Sequence, residues 1–301
     1  MHERNEKRAG AFARARMQGI SIVAIRIAGA GIALLAQILA ARMLGADEFG
    51  RYSLVLVWLL VLGYAATAGS NQLICRHVAQ YRQSEDRERL AGLLRASLAS
   101  IIGVAVLLAL AAVAVVSLAP LGLASADILL ATLAFSAVPL LALQDYLESI
   151  ARGLDRPALG IGPAFLIRHL GIIAGLLTLL VLGEGADAIT VMALTITGLI
   201  ASILTQFALL FRYIRVALSG VRPLYEIRDW VRTALPMVGS DVTEMLLLNA
   251  DILILGPLRI AGPGRSLFRR HPPGASSRLC SLRCDGGHGA EIRHALRARG
   301  S

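Results

Sequence analysis

Two arginines interrupt stretches of sequence that are otherwise apolar enough to cross a membrane. Arg26 lies in the first of these stretches, and Arg168 lies in the fifth, next to His169. A charged side chain at the centre of a membrane helix costs about 2.5–3.5 kcal/mol to insert, and such groups usually face a polar cavity or a partner. We therefore predict that both arginines line one cationic cavity that suits an anionic substrate. Two alternatives stay open: the arginines pair with Asp145 or Glu148, or their long side chains reach the membrane surface.

Polar side chains at helical spacing extend this predicted cavity. Gln37 follows Arg26 on the same helical stripe, and the second apolar stretch repeats a small polar face. The members of that face are Tyr64, Thr67 and Asn71. For His169, a hydrogen bond between helices and a role in proton coupling are both open.

Three carboxylates share one face of the last apolar stretch. Asp241, Glu244 and Asp251 are spaced i, i+3 and i+10, which places them within an arc of about 80° on a helix. They could bind a coupling cation or balance the arginine charges. Equally, Asp241 and Glu244 could lie at a wetted helix end.

The elements that must position these residues are membrane helices. The chain of 301 residues is 56% hydrophobic and 17% charged, with a mean hydropathy of +0.67. A soluble domain usually carries about 45–50% apolar and about 25% charged residues, so the composition excludes an ordinary soluble enzyme. A helix needs about 20 apolar residues to cross a bilayer, and the sequence predicts seven such spans. The spans are residues 19–39, 53–74, 96–126, 128–144, 158–183, 188–211 and 236–258.

The predicted fold is an all-α polytopic membrane helix bundle, with a six-helix N-terminal lobe at 18–210 and a seventh span at 236–258. Lysine and arginine are concentrated on one side of the bundle: we count 17 in the connections of that side and two on the other. The rule that cytoplasmic connections are basic therefore predicts a cytoplasmic tail at 1–17 and a cytoplasmic linker at 211–235. Every connection is short, so we expect no soluble catalytic domain, no enzymatic activity and no cofactor.

Several motifs resemble those of a known family. Residues 41–52, from Ala41 to Tyr52, are similar to the "ARxLGxxxFGxY" segment of polysaccharide flippases, and residues 152–157 are similar to the "RGxxRP" turn of that family. Residues 234–236 and 249–256 resemble the opening of its second half. These O-antigen and exopolysaccharide transporters belong to the multidrug/oligosaccharidyl-lipid/polysaccharide exporter superfamily.

The resemblance implies two helix bundles around a central cavity that opens alternately to each side. It implies a bacterial inner membrane location, and a lipid-linked (polyprenyl diphosphate) oligosaccharide as the substrate for surface polysaccharide biosynthesis. Membrane lipids and other polysaccharide-assembly membrane proteins would be the partners. Two other functions stay open: a cation-coupled multidrug or small-solute exporter, and a membrane-embedded glycan polymerase.

The segment 259–301 departs from the family pattern. It contains nine of the arginines and accounts for +7 of the net charge of +10. We interpret this tail as disordered and as an out-of-frame translation, since a shifted reading of permitted codons yields an apolar, family-like segment. On this interpretation the chain is truncated after seven helices, and we expect it to be inactive in transport by itself.

The same tail contains cysteines and histidines, the residue types of a Cys₂His₂ zinc site. Cys280 and Cys284 have a spacing found in zinc ligands, and His288 and His294 follow. Only three residues separate Cys284 from His288, whereas a zinc finger has about 12 at that point. We therefore predict neither a metal site nor nucleic-acid binding.

Overall fold

A computed structural model describes residues 2–118, 124–239, 241 and 243, with side chains from residue 19 onward apart from residue 217. Within these residues all regular secondary structure is helical, which confirms the predicted all-α class. The helices are α1 (His2–Thr67), α2 (Ser70–Gln83), α3 (Arg87–Leu118), α4 (Ser125–Ser136), α5 (Val138–Gly153), α6 (Pro157–Gly162), a π-turn (Pro163–Ile167), α7 (Arg168–Leu182) and α8 (Ala188–Leu218). Residues 227–239 are also helical. Glu244, Asp251, most of the predicted span 236–258 and the tail 259–301, with Cys280, Cys284, His288 and His294, lie outside the described residues.

Helix α1 contains two of the predicted spans. Its apolar part, Gly19–Thr67, has 49 residues, and at 1.5 Å per residue this is about 74 Å, more than twice the thickness of a bilayer core. The helix bends at Gly45, where φ is 74° and ψ is 176°, a combination that residues with a Cβ hardly ever adopt. The bend divides α1 into two limbs of membrane-crossing length. The second limb ends at Thr67 rather than at the predicted residue 74, because the chain breaks again at Gly69, with φ of 73°.

Two further spans are each assembled from shorter helices around a proline. The span Ser125–Gly153 consists of α4 and α5, with Pro139 in the first turn of α5. The span Pro157–Leu182 consists of α6, the π-turn and α7, with Pro163 at the start of the π-turn. Proline has no N–H for the helical ladder and its ring crowds the preceding turn, so both breaks have a local cause. Together with Arg87–Leu118 and Ala188–Val216, these segments account for six predicted spans within the described residues.

Helix α5 lies at the centre of the bundle and packs against α1, α2, α3 and α8. Small residues permit close approach, as is usual in membrane helix packing. At Gly63 of α1, for example, an added Cβ would overlap the side chain of Leu141 on α5. This central position makes α5 the wall that several other helices share.

The chain after α8 docks on the corner between α2 and α3. The Leu224 N–H donates to the Glu88 carbonyl at 3.0 Å, and Trp230 is 5% exposed, with its indole N–H donating to the Tyr81 hydroxyl at 3.1 Å. Burial raises the pKa of the Tyr81 hydroxyl above its ordinary value. Trp230 of the basic linker is thus packed inside the protein.

Candidate functional site

A cavity of about 330 Å³ lies between the two limbs of α1, α2, α5, the π-turn and the start of α7. Six of the predicted site residues line it, although they come from distant parts of the sequence. These six are Arg26, Tyr64, Thr67, Asn71, Arg168 and Asp241. The structure therefore brings both membrane arginines to one cavity, where Arg168 is half-buried and Arg26 is exposed.

The cavity lies toward the helix ends that carry the basic connections. Arg152 is one residue from the end of α5, and Arg168 lies 11 residues after the start of its span at Pro157. At 1.5 Å per residue, the cavity reaches about 17 Å into the bundle from that side. This is about half of the bilayer core.

Neither membrane arginine has a carboxylate partner among the described residues. The Arg168 guanidinium lies 3.5 Å from Gln144 Oε1, with Nη1 as the donor, and no described carboxylate oxygen is within 4.0 Å of Arg26 or Arg168. Glu148 instead approaches Arg152, at 3.9 Å. Pairing of the arginines with Asp145 or Glu148, the alternative left open by the sequence, is therefore not present within the part of the chain that the structure describes.

Helix α5 supplies a set of cavity residues that we did not assign to the site from the sequence. They follow helical spacing along one face: Gln144, Asp145, Glu148 and Arg152. The signal was present, since carboxylates so close to an apolar span need an explanation. We considered Asp145 and Glu148 only as partners for the arginines.

Three atoms of this α5 face are buried without a hydrogen-bond partner in the described part of the chain: Gln144 Nε2, Asp145 Oδ2 and Arg152 Nε. Leaving a buried polar group unpaired costs about 1–3 kcal/mol, so a ligand or water that satisfies it is stabilised there. These three polar atoms therefore lie buried behind the accessible wall of the cavity.

The charge of the cavity differs from the prediction. Three arginines, Arg26, Arg152 and Arg168, are balanced by three carboxylates, Asp145, Glu148 and Asp241. The predicted cationic cavity did not include the charges of α5, namely Asp145, Glu148 and Arg152. The cavity is therefore of mixed charge, and α5 alone contributes both signs, through Asp145, Glu148 and Arg152.

Asp241 has a structural contact in addition to its place in the cavity wall. Its Oδ2 accepts a hydrogen bond from the Gly69 N–H at 2.9 Å, at the break between α1 and α2. Asn71 similarly connects elements, since its side chain donates to Thr67 Oγ1 at 3.3 Å and accepts from Ser149 Oγ at 3.0 Å. These contacts hold α1, α2 and α5 together around the cavity.

Two predicted residues do not line the cavity. Gln37 is exposed and lies 11 residues beyond Arg26, about 16 Å further along the helix and past the end of the cavity. His169 points elsewhere: its Nδ1 lies 2.8 Å from the carbonyl oxygen of Phe165, to which it donates in the Nδ1–H tautomer. The contact found is therefore within one span rather than between helices, and the proton-coupling role stays a prediction.

The first sequence motif forms the opposite end of the bundle. Following the bend at Gly45, Glu48 accepts from Arg51 at 2.9 Å and from the Ala188 N–H at 3.1 Å. Arg51 also lies 3.4 Å from Asp127, and the Tyr52 hydroxyl is 3.0 Å from Thr195 Oγ1. The motif thus joins α1 to the starts of α4 and α8.

The second motif forms the turn between α5 and α6. Asp155 pairs with Arg82 at 2.5 Å, and the Arg156 guanidinium lies 5.1 Å from the ring centroid of Tyr213, within cation–π range. Both motifs are therefore explained by contacts between helices, and the cavity residues come mostly from outside them.

Comparison with known proteins gave two matches. The sequence model of a family described as "Polysaccharide biosynthesis protein" matches residues 17–264. A solved structure titled "Inward-facing conformation of a multidrug resistance MATE family transporter of the MOP superfamily" resembles the fold with a TM-score of 0.53 and 18% sequence identity. The likeness covers 71% of this chain and 51% of the transporter, so the chain spans about half of that protein's length. No curated protein sequence gave a significant match.

Proposed function

Because the chain belongs to the polysaccharide biosynthesis protein family, we propose that it takes part in flipping a lipid-linked oligosaccharide across a bacterial inner membrane. The substrate is a glycan on a polyprenyl diphosphate, which moves from the cytoplasmic to the outer leaflet for surface polysaccharide biosynthesis. The activity is transport rather than bond chemistry, and the N-terminus is cytoplasmic. Membrane lipids and other polysaccharide-assembly membrane proteins are its proposed partners.

The observation that carries this proposal is the pair of cavity arginines, neither of which has a carboxylate partner among the residues that the structure describes. A guanidinium binds phosphate oxygens through two parallel, charge-assisted hydrogen bonds. Arg26 and Arg168 approach the cavity from different helices, so a diphosphate between them would satisfy both. An unpaired cation at this depth is otherwise costly.

The remaining polar groups suit the sugar next to the diphosphate. Sugar hydroxyls both donate and accept hydrogen bonds, and the α5 face contributes the polar side chains Gln144, Asp145 and Glu148 to the cavity wall. The aromatic side chains Tyr64 and Phe165 also line the cavity. A volume of about 330 Å³ suits a headgroup and leaves the polyprenyl chain in the bilayer, along the exposed apolar helix faces.

Lipid binding by the full chain in nanodiscs tests the proposal without requiring transport. We expect the chain to bind undecaprenyl diphosphate more tightly than undecaprenol, which has the same tail and no phosphate. The double variant Arg26→Gln/Arg168→Gln should lose this preference. Arg42→Gln is the matched control, because Arg42 is exposed on the same limb of α1 and outside the cavity. Equal binding of the two lipids by the unaltered chain would refute the proposal.

A cation-coupled small-solute exporter is the second candidate, and the cavity carboxylates favour it. Asp145, Glu148 and Asp241 could attract a cationic solute as well as the arginines attract an anion. Tetraphenylphosphonium, an apolar cation, distinguishes the two candidates in the same nanodiscs. Binding that depends on Asp145, together with no preference for the diphosphate lipid, would favour the exporter.

A further inference from the structure

The π-turn Pro163–Ile167 lies immediately before Arg168. Its closing hydrogen bond runs from the Arg168 N–H to the Pro163 carbonyl, one residue further back than in an α-helix. Such π-turns are rare, and they are frequent at functional sites. Ala164 and Phe165 of this turn line the cavity together with Arg168, so the turn decides which side chains of the span face the cavity.

A side chain from another helix supports the start of this turn. Gln206 of α8 is 0% exposed, and its Nε2 donates to the Gly160 carbonyl at 2.6 Å. Gly160 lies in the turn before Pro163, which is the turn that the proline ring crowds and deprives of an N–H donor. Gln206 thus supplies a donor from outside the helix at the point where the regular ladder is disturbed.

The same helix contacts the other end of the turn. A Cβ added to Gly198 of α8 would lie 2.6 Å from the Arg168 carbonyl oxygen, so glycine permits the two backbones to touch there. Gly171 and Gly198 are also in close contact. Helix α8 therefore holds the π-turn at both ends, by a hydrogen bond before it and by backbone packing after it.

The geometry of a π-turn makes this support important for the cavity. The turn holds one residue more than an α-helical turn, so a return to α geometry shifts the register by one residue, or about 100°. Arg168 would then rotate out of the cavity toward the present place of His169. Ile167, which does not line the cavity, would take the place of Arg168.

We propose that Gln206 is a positioning residue, which holds the π-turn and so keeps the Arg168 guanidinium directed into the cavity. The significance of that position rests on the proposed function, in which Arg168 binds the diphosphate. The structural part of the inference is independent of any substrate.

Cysteine labelling tests the structural part. In the full chain with Cys75, Cys280 and Cys284 replaced by alanine, a cysteine is introduced as Ile167→Cys and treated with a charged methanethiosulfonate reagent. We expect slow labelling with Gln206 in place, and labelling faster by several-fold after Gln206→Met, which removes the donor while keeping the length of the side chain. Thr205→Val is the matched control, since Thr205 is the half-buried neighbour of Gln206 and its hydroxyl donates within its own helix, to the Ala201 carbonyl.

Gln206→Met can distinguish an effect on the position of Arg168 from a loss of folding. Gln206 Oε1 is buried without a partner among the described residues. Replacement by methionine therefore loses one hydrogen bond but also removes one unsatisfied buried oxygen, and the two effects on stability oppose each other. Unchanged labelling in a monodisperse Gln206→Met chain overturns the proposal. If that variant is not recovered folded, Gly198→Ala, which displaces α8 from the Arg168 carbonyl, is measured in its place with the same two outcomes.

Undecaprenyl diphosphate binding distinguishes the role of Gln206 in the π-turn from the role of Arg168 in binding the lipid. If Gln206 acts through Arg168, Gln206→Met and Arg168→Gln should each weaken binding, and the double variant should be no weaker than Arg168→Gln alone. Additive losses would contradict positioning through Arg168. If Arg168→Gln itself has no effect while Gln206→Met still accelerates labelling, the proposed function fails and the role of Gln206 in the turn stands.

Discussion

The two ends of the bundle use the same kinds of charged side chain in opposite ways. At the end near Gly45, Arg51 contacts Glu48 and Asp127, and Glu48 also accepts the Ala188 N–H. At the cavity end, Arg26 and Arg168 have no carboxylate within 4.0 Å in the described part of the chain, and the Asp145 Oδ2 is buried without a partner. The first end uses its charges to join helices. At the second end some charges also join elements, as Asp241 does with the Gly69 N–H, but Arg26 and Arg168 have no carboxylate partner among the described residues.

This difference separates structural from functional charge without reference to any relative. For a paired charge at a helix end, attraction to the partner offsets part of the free-energy cost of desolvation, and the pair contributes modestly to stability. A charge held in a cavity without such a partner is costly, and a ligand that supplies the missing hydrogen bonds recovers the cost. The comparison therefore predicts that variants at the two ends affect different measurements.

The largest expected effect is the difference in lipid affinity between an arginine substitution at the cavity end and one at the end near Gly45. Arg168→Gln removes a charge-assisted contact worth about 1.5–3 kcal/mol, so we expect undecaprenyl diphosphate affinity to fall about 10- to 100-fold. Arg51→Gln should leave affinity unchanged and slightly lower the thermal midpoint. Equal losses of affinity in both variants, measured in the same nanodiscs, would remove the distinction between the ends.

At the end near Gly45, substitution of Gly45 itself should lower the stability of the protein most. Gly45→Ala places a Cβ in a backbone conformation that costs about 1–3 kcal/mol, so we expect a lower midpoint in thermal unfolding. Gly50→Ala is the control, because Gly50 lies within the helix, with open space around an added Cβ, and alanine is favoured there by about 1 kcal/mol. A tolerated Gly45→Ala would show that α1 does not require the bend.

A buried hydroxyl pair gives a smaller effect at the same end. Tyr52 is 5% exposed and its hydroxyl lies 3.0 Å from Thr195 Oγ1. Tyr52→Phe should lower the free energy of unfolding by about 0.5–1.5 kcal/mol, with no change in lipid affinity. Tyr225→Phe, at a half-exposed position, should have no measurable effect on unfolding. A change in affinity for Tyr52→Phe would place this residue in the functional region instead.

The smallest effect concerns the start of α8, close to Glu48. Asp187 accepts the Thr190 N–H at 2.8 Å as an N-cap, which lowers the pKa of its carboxyl below 3.8. A lowered folded-state pKa stabilises the protein above the unfolded pKa, and this contribution is lost as the pH falls through the folded value. Asp187→Asn keeps a good cap without the charge, so the stability difference between the two chains should shrink as the pH falls below the pKa of the unfolded carboxyl and disappear once the folded carboxyl is protonated. A difference that is independent of pH would contradict the role of the ionised carboxylate.

Much of the fold could be predicted from the sequence because it depends on local properties. Apolar length predicted six spans within the described residues, and helical spacing placed Arg26, Tyr64, Thr67, Asn71 and Arg168 in one cavity. Gln37 does not line the cavity although it was predicted to, because helical periodicity identifies which residues share a helix face but not how far along that face a cavity extends. The α5 face from Gln144 to Arg152 was missed because it follows a predicted span and was interpreted as its polar end.

By itself, the sequence determined where the helices cross the membrane and which residues share a helical face. These properties follow from hydropathy and from 3.6 residues per turn, and both act within a single segment. Only the tertiary structure decided which charges have partners, because a partner comes from another helix: Glu48 reaches Ala188, 140 residues later, while Arg168 meets the Gln144 amide instead of Asp145. The π-turn and its support by Gln206 are of the same kind, since they depend on how closely α8 approaches a helix that no local pattern connects to it.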